Sequence, residues 1–157
     1  MAVSVTIRKA NLEDLGIIHD IRRDSILGIE SDALGIGDRQ VWSDRRSPEF
    51  YAERVTAGNV VLAIFQGIIV GWGSSLGDCI TGVYVRPSSG RKGVGRTIMS
   101  SLETDIVQTG HECARLESSP NALGFYTKLG YTAVGLPEND GAVPMKKNLL
   151  QLNRGPL

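Results

Sequence analysis

Tyr84-Val85-Arg86-Pro87-Ser88-Ser89-Gly90-Arg91-Lys92-Gly93-Val94-Gly95-Arg96 is the stretch whose reading decides how this chain folds. A β-branched run, Gly82-Val83-Tyr84-Val85, leads into it, and Val94, Ile98, Leu102 and Ile106 leave it at a spacing of four. A strand therefore passes through a glycine-rich loop into a helix. Helix starts expose unpaired backbone N–H groups and carry partial positive charge, so an anion docks there without a dedicated side chain. Gly90, Gly93 and Gly95 let the backbone come close to such a ligand, while Arg91, Lys92 and Arg96 add charge-assisted hydrogen bonds. A pyrophosphate suits this loop. A Walker A loop requires Gly-Lys before Ser or Thr, and here Gly95 precedes Arg96-Thr97; a dinucleotide fingerprint starting at Gly93 needs glycine where Ile98 stands. Taken alone, the loop reads equally as a turn with solvated basic residues.

Working outward, Val3, Val5 and Ile7 alternate with polar residues as a first strand, and Asn11 caps a helix that has Asp14 in its first turn and runs to about Leu27. Glu30 to Asp38 breaks the pattern, ending near Trp42 in a loop or short helix. Ser47-Pro48 opens a second helix that stops at Gly58. Val60 to Gln66 and Ile68 to Ser75 form a hairpin around Gly67, and Cys79 to Val85 is the strand entering the loop. After the long helix, ended by Gly110, come a strand over Glu112 to Ser118, a short helix from Pro120-Asn121 to Gly130, and strands at Tyr131 to Val134 and Val143 to Leu149. Hairpins first and helical crossovers later predict an α/β (α+β) domain over 1–157: a mixed sheet of six to seven strands with four helices, antiparallel in its first half and parallel where Cys79 to Val85 meets Glu112 to Ser118.

The bulk composition narrows the partners. Lys plus Arg number 17 and Asp plus Glu number 17, so no global field recruits nucleic acid or an anionic membrane, and a small partner is expected. The longest apolar run, Val60 to Phe65, is six residues against the ~20 of a membrane helix, and no signal sequence precedes it, which predicts a cytoplasmic protein. Cys79 and Cys113 have no CxxC spacing and read as small core residues; His19 and His111 have no partner at metal-ligand spacing, so no metal is assigned.

With these elements in place the chain resembles the GNAT family, the Gcn5-related N-acetyltransferases. Gly90-Arg91-Lys92-Gly93-Val94-Gly95 matches the family's core motif except at its first position, usually Gln or Arg. Ser119-Pro120-Asn121-Ala122, Phe125-Tyr126 and Leu129-Gly130-Tyr131 resemble its next signature. The resemblance implies the GNAT fold and direct transfer of an acetyl group from acetyl-CoA to a primary amine of a small molecule or a protein, with a homodimer compatible. It implies backbone contacts to the cofactor from Val83, Tyr84 and Val85, pyrophosphate contacts from Arg91, Lys92, Gly93, Val94, Gly95 and Arg96, and Tyr126 as general acid, since a phenol near pKa ~10 stays protonated at neutral pH. Asn121 either caps its helix or bonds the pantetheine arm, and Phe125 reads as core. The strand Cys79 to Val85 carries no glutamate, so the family's frequent carboxylate base has no holder there. Glu117, Glu30, Asp32, Asp44 and a water chain all stay open as the base. Ser25, Trp42 and Tyr51 are candidate acceptor contacts. A catalytically weak acyl-CoA-binding or sensing module is the alternative function.

Overall fold

The computed structural model describes residues 4–28, 47–89 and 93–150. Seven strands form one sheet in the order β1-β2-β3-β4-β5-β7-β6: β1 Thr6–Lys9, β2 Val60–Phe65, β3 Ile68–Leu76, β4 Cys79–Val85, β5 Cys113–Ser118, β6 Thr132–Ala133 and β7 Val143–Asn148. Four α-helices lie among the described residues: α1 Leu15–Leu27, α2 Ala52–Thr56, α3 Val94–Gln108 and α4 Leu123–Lys128. β1 to β4 run antiparallel, β4 and β5 parallel, and β5, β7 and β6 antiparallel again. This is the mixed sheet expected from the element order. Trp42, Glu30, Asp32, Asp44, Gly90, Arg91 and Lys92 lie outside the described residues.

Local chemistry accounts for the helix entries. Asn11 caps a 3-10 turn, Leu12–Asp14, that runs straight into α1; its side chain accepts from Glu13 N at 2.9 Å while Asp14 accepts from Asn11 N at 2.8 Å. Asp14 is also gripped by Arg8 at 2.9 and 3.0 Å, and this pairing, first of all causes, holds its carboxyl below the usual carboxylate range. Pro48 starts a 3-10 turn after Ser47 that leads into α2, and Gly58 ends the segment at a φ of 77°.

Two cores flank the sheet. On one side α3 places Val94, Ile98, Met99, Leu102 and Ile106 against Val61, Ala63, Val70, Ile80, Ala114 and Leu116, and α4 adds Tyr126. On the other, Ile18 and Ile21 of α1 and Tyr51 and Val55 pack on Val60, Leu62 and Trp72. Each fully buried aliphatic side chain of α3 contributes roughly 2 kcal/mol. α3 approaches the sheet over glycines. A Cβ on Gly71 would lie 3.1 Å from both Val94 Cγ1 and Ile98 Cδ1, and one on Gly73 would collide with Ile98. Expectation and structure part at the cysteines, which are half-buried, and at Tyr131, which precedes β6 and turns inward. No helix among the described residues is long and apolar enough to cross a membrane.

Tyr131 shows why it leaves the strand. It is 1% exposed and donates its hydroxyl proton to Glu103 Oε2 at 2.7 Å, and Lys147 Nζ reaches the same carboxylate at 3.1 and 3.2 Å. Burial, then the Glu103 hydrogen bond and charge, push the Tyr131 phenol far up from its ordinary value. The triad fastens α3 to the β6–β7 hairpin. Removing the carboxylate strands a buried hydroxyl and a largely buried ammonium. Glu103→Ala is therefore expected to cost about 3 kcal/mol in urea unfolding, and Glu103→Gln less, because an amide oxygen still accepts from Tyr131.

Candidate active site

β4 and β5 are paired in register only at Cys79↔Arg115, and beyond that point they part. Near this pair Arg115 N donates to Asp78 O at 2.8 Å, and its side chain grips the Asp78 carboxylate at 2.8 and 3.0 Å. Past it, β5 follows β7 and β4 follows β3. Hydrogen-bond direction alternates along a strand, and Arg86 N donates back to Val70 O on β3 at 2.9 Å. By that alternation Tyr84 also bonds toward β3, and the backbone groups of Val83 and Val85 point into the opening. Both valine side chains are half-buried against the α3 core, so only their backbone is available there.

The mouth of the opening is the start of α3. Gly93 occupies the cap position in the left-handed region, φ 74°, and no side chain caps the helix. The N–H groups of Val94, Gly95 and Arg96 therefore have no intrahelical acceptor. Val94 is completely buried, so its side chain serves the core and only its N–H can face a ligand; Arg96 is exposed. A Cβ added at Gly93 would meet nothing within 4 Å, whereas one at Gly95 would lie 3.0 Å from Phe125 Cζ. Phe125 thus corrects its expected place in the core. It is 37% exposed and its ring covers Gly95, because the inward position on α4 belongs to Tyr126 and the neighbouring residue projects about 100° around the helix.

Tyr126 packs edge-on to Phe125 and Tyr131, with ring centroids 5.1 and 6.0 Å away. Burial, and secondarily the nearby Tyr84 phenol, push its hydroxyl up to about 12. Asn121 corrects one of its two expected roles: it is exposed inside the 3-10 turn Pro120–Ala122, whose cap is Ser119, and it caps nothing. Tyr84 stands beside Trp72 at 4.9 Å, and Ser25 is half-buried on α1.

The expected base candidate Glu117 is exposed on β5, on the face opposite buried Leu116 and Ser118. The sequence reading missed its neighbour. Glu138, in the β6–β7 connection, is raised above the usual carboxyl range by the Glu117 charge and by a hydrogen bond to it, with Asp140 adding to the effect. The acidic turn Glu138-Asn139-Asp140-Gly141 was visible, but its folding back onto β5 was not. Among the described residues no group of three or more His, Cys, Asp or Glu could hold a metal ion.

Residues 17–149 match the Acetyltransferase (GNAT) domain family. Among curated protein sequences no relative matches. Among solved structures, the chain is similar to a GCN5-related N-acetyltransferase from Rhodopseudomonas palustris at 26% identity and a TM-score of 0.85, covering 95% of this chain and 99% of that one. It is similar to the PaiA N-acetyltransferase of Thermoplasma acidophilum in complex with coenzyme A, at 21% and 0.73 over 92% and 99% of the two chains. It is also similar to YncA of Salmonella typhimurium with its cofactor acetyl-CoA, at 24% and 0.69 over 93% and 94%. With a family match across most of its length and a mixed seven-stranded sheet that superposes on GNAT structures, this chain belongs to the GNAT acetyltransferases.

Proposed function

We propose that this chain is an N-acetyltransferase that carries an acetyl group from acetyl-CoA to a primary amine of a small molecule or a protein, by direct attack in a ternary complex. The observation that carries the reading is the opening between β4 and β5, with an uncapped, glycine-led helix start at its mouth. The pyrophosphate takes the N–H groups of Val94, Gly95 and Arg96, with Arg91 and Lys92 contributing from the loop. The pantetheine amides pair with the backbone of Val83 and Val85, completing for β4 the edge that β5 leaves unpaired. Asn121, exposed and uncommitted, is left to bond that arm.

Magnitudes refine the role of Tyr126. A phenol at about 12 facing a thiol near ~8.5 makes complete proton transfer uphill by roughly 5 kcal/mol. Tyr126 therefore acts by donating a hydrogen bond to the sulfur as charge develops there, in a dry site where that bond is strong. Deprotonation of the amine falls to Glu117 and Glu138, or to water that they hold, since β4 itself carries no carboxylate. That same absence favours the second reading, an acyl-CoA sensor of the same fold. Thiol release from acetyl-CoA with a panel of primary amines separates the two: tight CoA binding with no amine ever modified identifies the sensor.

Three outcomes are expected. Tyr126→Phe lowers kcat by about a hundredfold while calorimetric CoA affinity changes little. Gly93→Asp places a carboxylate and a strained left-handed Cβ in the anion site and costs well over about 1 kcal/mol of CoA affinity; unchanged affinity removes the loop from the site. In alkaline titration followed by phenolate absorbance, Tyr126 ionises only near pH 12. Because its folded pKa is raised, its contribution to stability is complete below about pH 10 and is lost as pH rises through about 12.

A further inference from the structure

The register between β3 and β4 shifts in mid-strand. Ser75 pairs with Ile80 and Ser74 with Gly82, which leaves Thr81 as one extra residue on β4. The Ser74 and Thr81 hydroxyls lie 2.6 Å apart and pin this bulge. In a regular strand Ile80, Gly82 and Tyr84 would share a face. The bulge reverses the second half. Ile80 lies in the α3-side core, Val83 and Val85 pack on that same core, and Tyr84 turns to the α1 side next to Trp72.

On that side its ring is held firmly. The Trp72 ring lies 4.9 Å away, and its indole N–H donates to Ile18 O at 2.9 Å; the Arg22 guanidinium stands 5.8 Å from the Tyr84 centroid. Tyr84 remains half-exposed and sits on the part of β4 that β5 has left. Across the opening, Glu117 faces the same side, while Tyr126 belongs to the opposite one.

We propose that the Tyr84 side chain is the acceptor-binding residue of this enzyme. Its hydroxyl oxygen accepts a hydrogen bond from the N–H of the incoming primary amine and holds the nitrogen over the β4–β5 opening, on the other side of the sheet from Tyr126. The amine keeps its lone pair for the carbonyl, and Glu117 stands within the same face to receive its proton. This assignment rests on the acetyltransferase reading and adds to it a side-chain role for a residue whose backbone is bonded toward β3.

The test compares the full-length protein with Tyr84→Phe and Tyr84→Ala, using 2-phenylethylamine and spermidine as probe amines and acetyl-CoA as donor. Tyr84→Phe keeps the ring in its tilted contact with Trp72, so its melting temperature should match the parent. Its KM for the amines is expected to rise about tenfold with CoA affinity, measured by calorimetry, unchanged. Tyr84→Ala should show the same split, more strongly. An unaltered amine KM in Tyr84→Phe overturns the proposal, and so does a parallel loss of CoA affinity, which would assign the side chain to the cofactor. If the parent protein binds CoA but acetylates neither probe nor any amine of the panel, the transferase reading fails and this assignment falls with it.

Discussion

Everything at the site depends on two parallel strands that stay together for one residue pair and then separate. Cys79↔Arg115, clamped by the Asp78–Arg115 ion pair, is the pivot. Beyond it each strand is committed elsewhere: β4 is bonded to β3 and tied at its end to α1 by Arg86–Asp24 at 2.8 Å, while β5 is bonded along its whole length to β7. The separation leaves backbone donors and acceptors of Val83 and Val85 without strand partners. Such groups are costly to bury unpaired, so the opening is suited to a ligand that brings amide groups of its own. A thioester cofactor with an amide-rich arm meets that need.

α3 bridges the two halves of the sheet that the opening divides. It lies close against β3 because Gly71 and Gly73 present no side chains to it, and it is tied to the β6–β7 hairpin through Glu103, Tyr131 and Lys147. Anchored on both halves, the helix brings its first turn to the mouth of the opening. Phe125 then covers Gly95, so the same turn is shielded on one side and open on the other. The anion site proposed there is thus made from backbone and packing. The chain needs no net positive charge to build it, in keeping with its balance of 17 cationic and 17 acidic residues.

The two tyrosines near the opening differ because of the elements that carry them. Tyr126 is on the inward face of a short helix and loses water on nearly all sides, which raises its hydroxyl to about 12 and makes it a lasting donor. Tyr84 is on a strand whose bulge turns it toward α1, where Trp72 and Arg22 hold the ring. One chain position decides the side of the sheet on which a phenol appears.

The sequence by itself determined the order of elements, the glycine-led helix start and the family. Those rest on signals carried by neighbouring residues: the four-residue spacing from Val94 to Ile106, the cap at Asn11, the Pro at Ser47-Pro48, the glycines at turns. Tertiary structure decided which face each site residue occupies. The bulge at Thr81 exists through pairing with Ser74, so the side of Tyr84 could not follow from alternation along β4 alone. Phe125 reads as core by composition and lands on Gly95, and Glu138 becomes the neighbour of Glu117 only when the β6–β7 connection folds back. Asn121, which could have capped a helix, is left outside that role by a turn beginning at Ser119. Local propensity sets where elements start and stop; contacts between residues far apart in sequence set which atoms meet, and chemistry depends on the second.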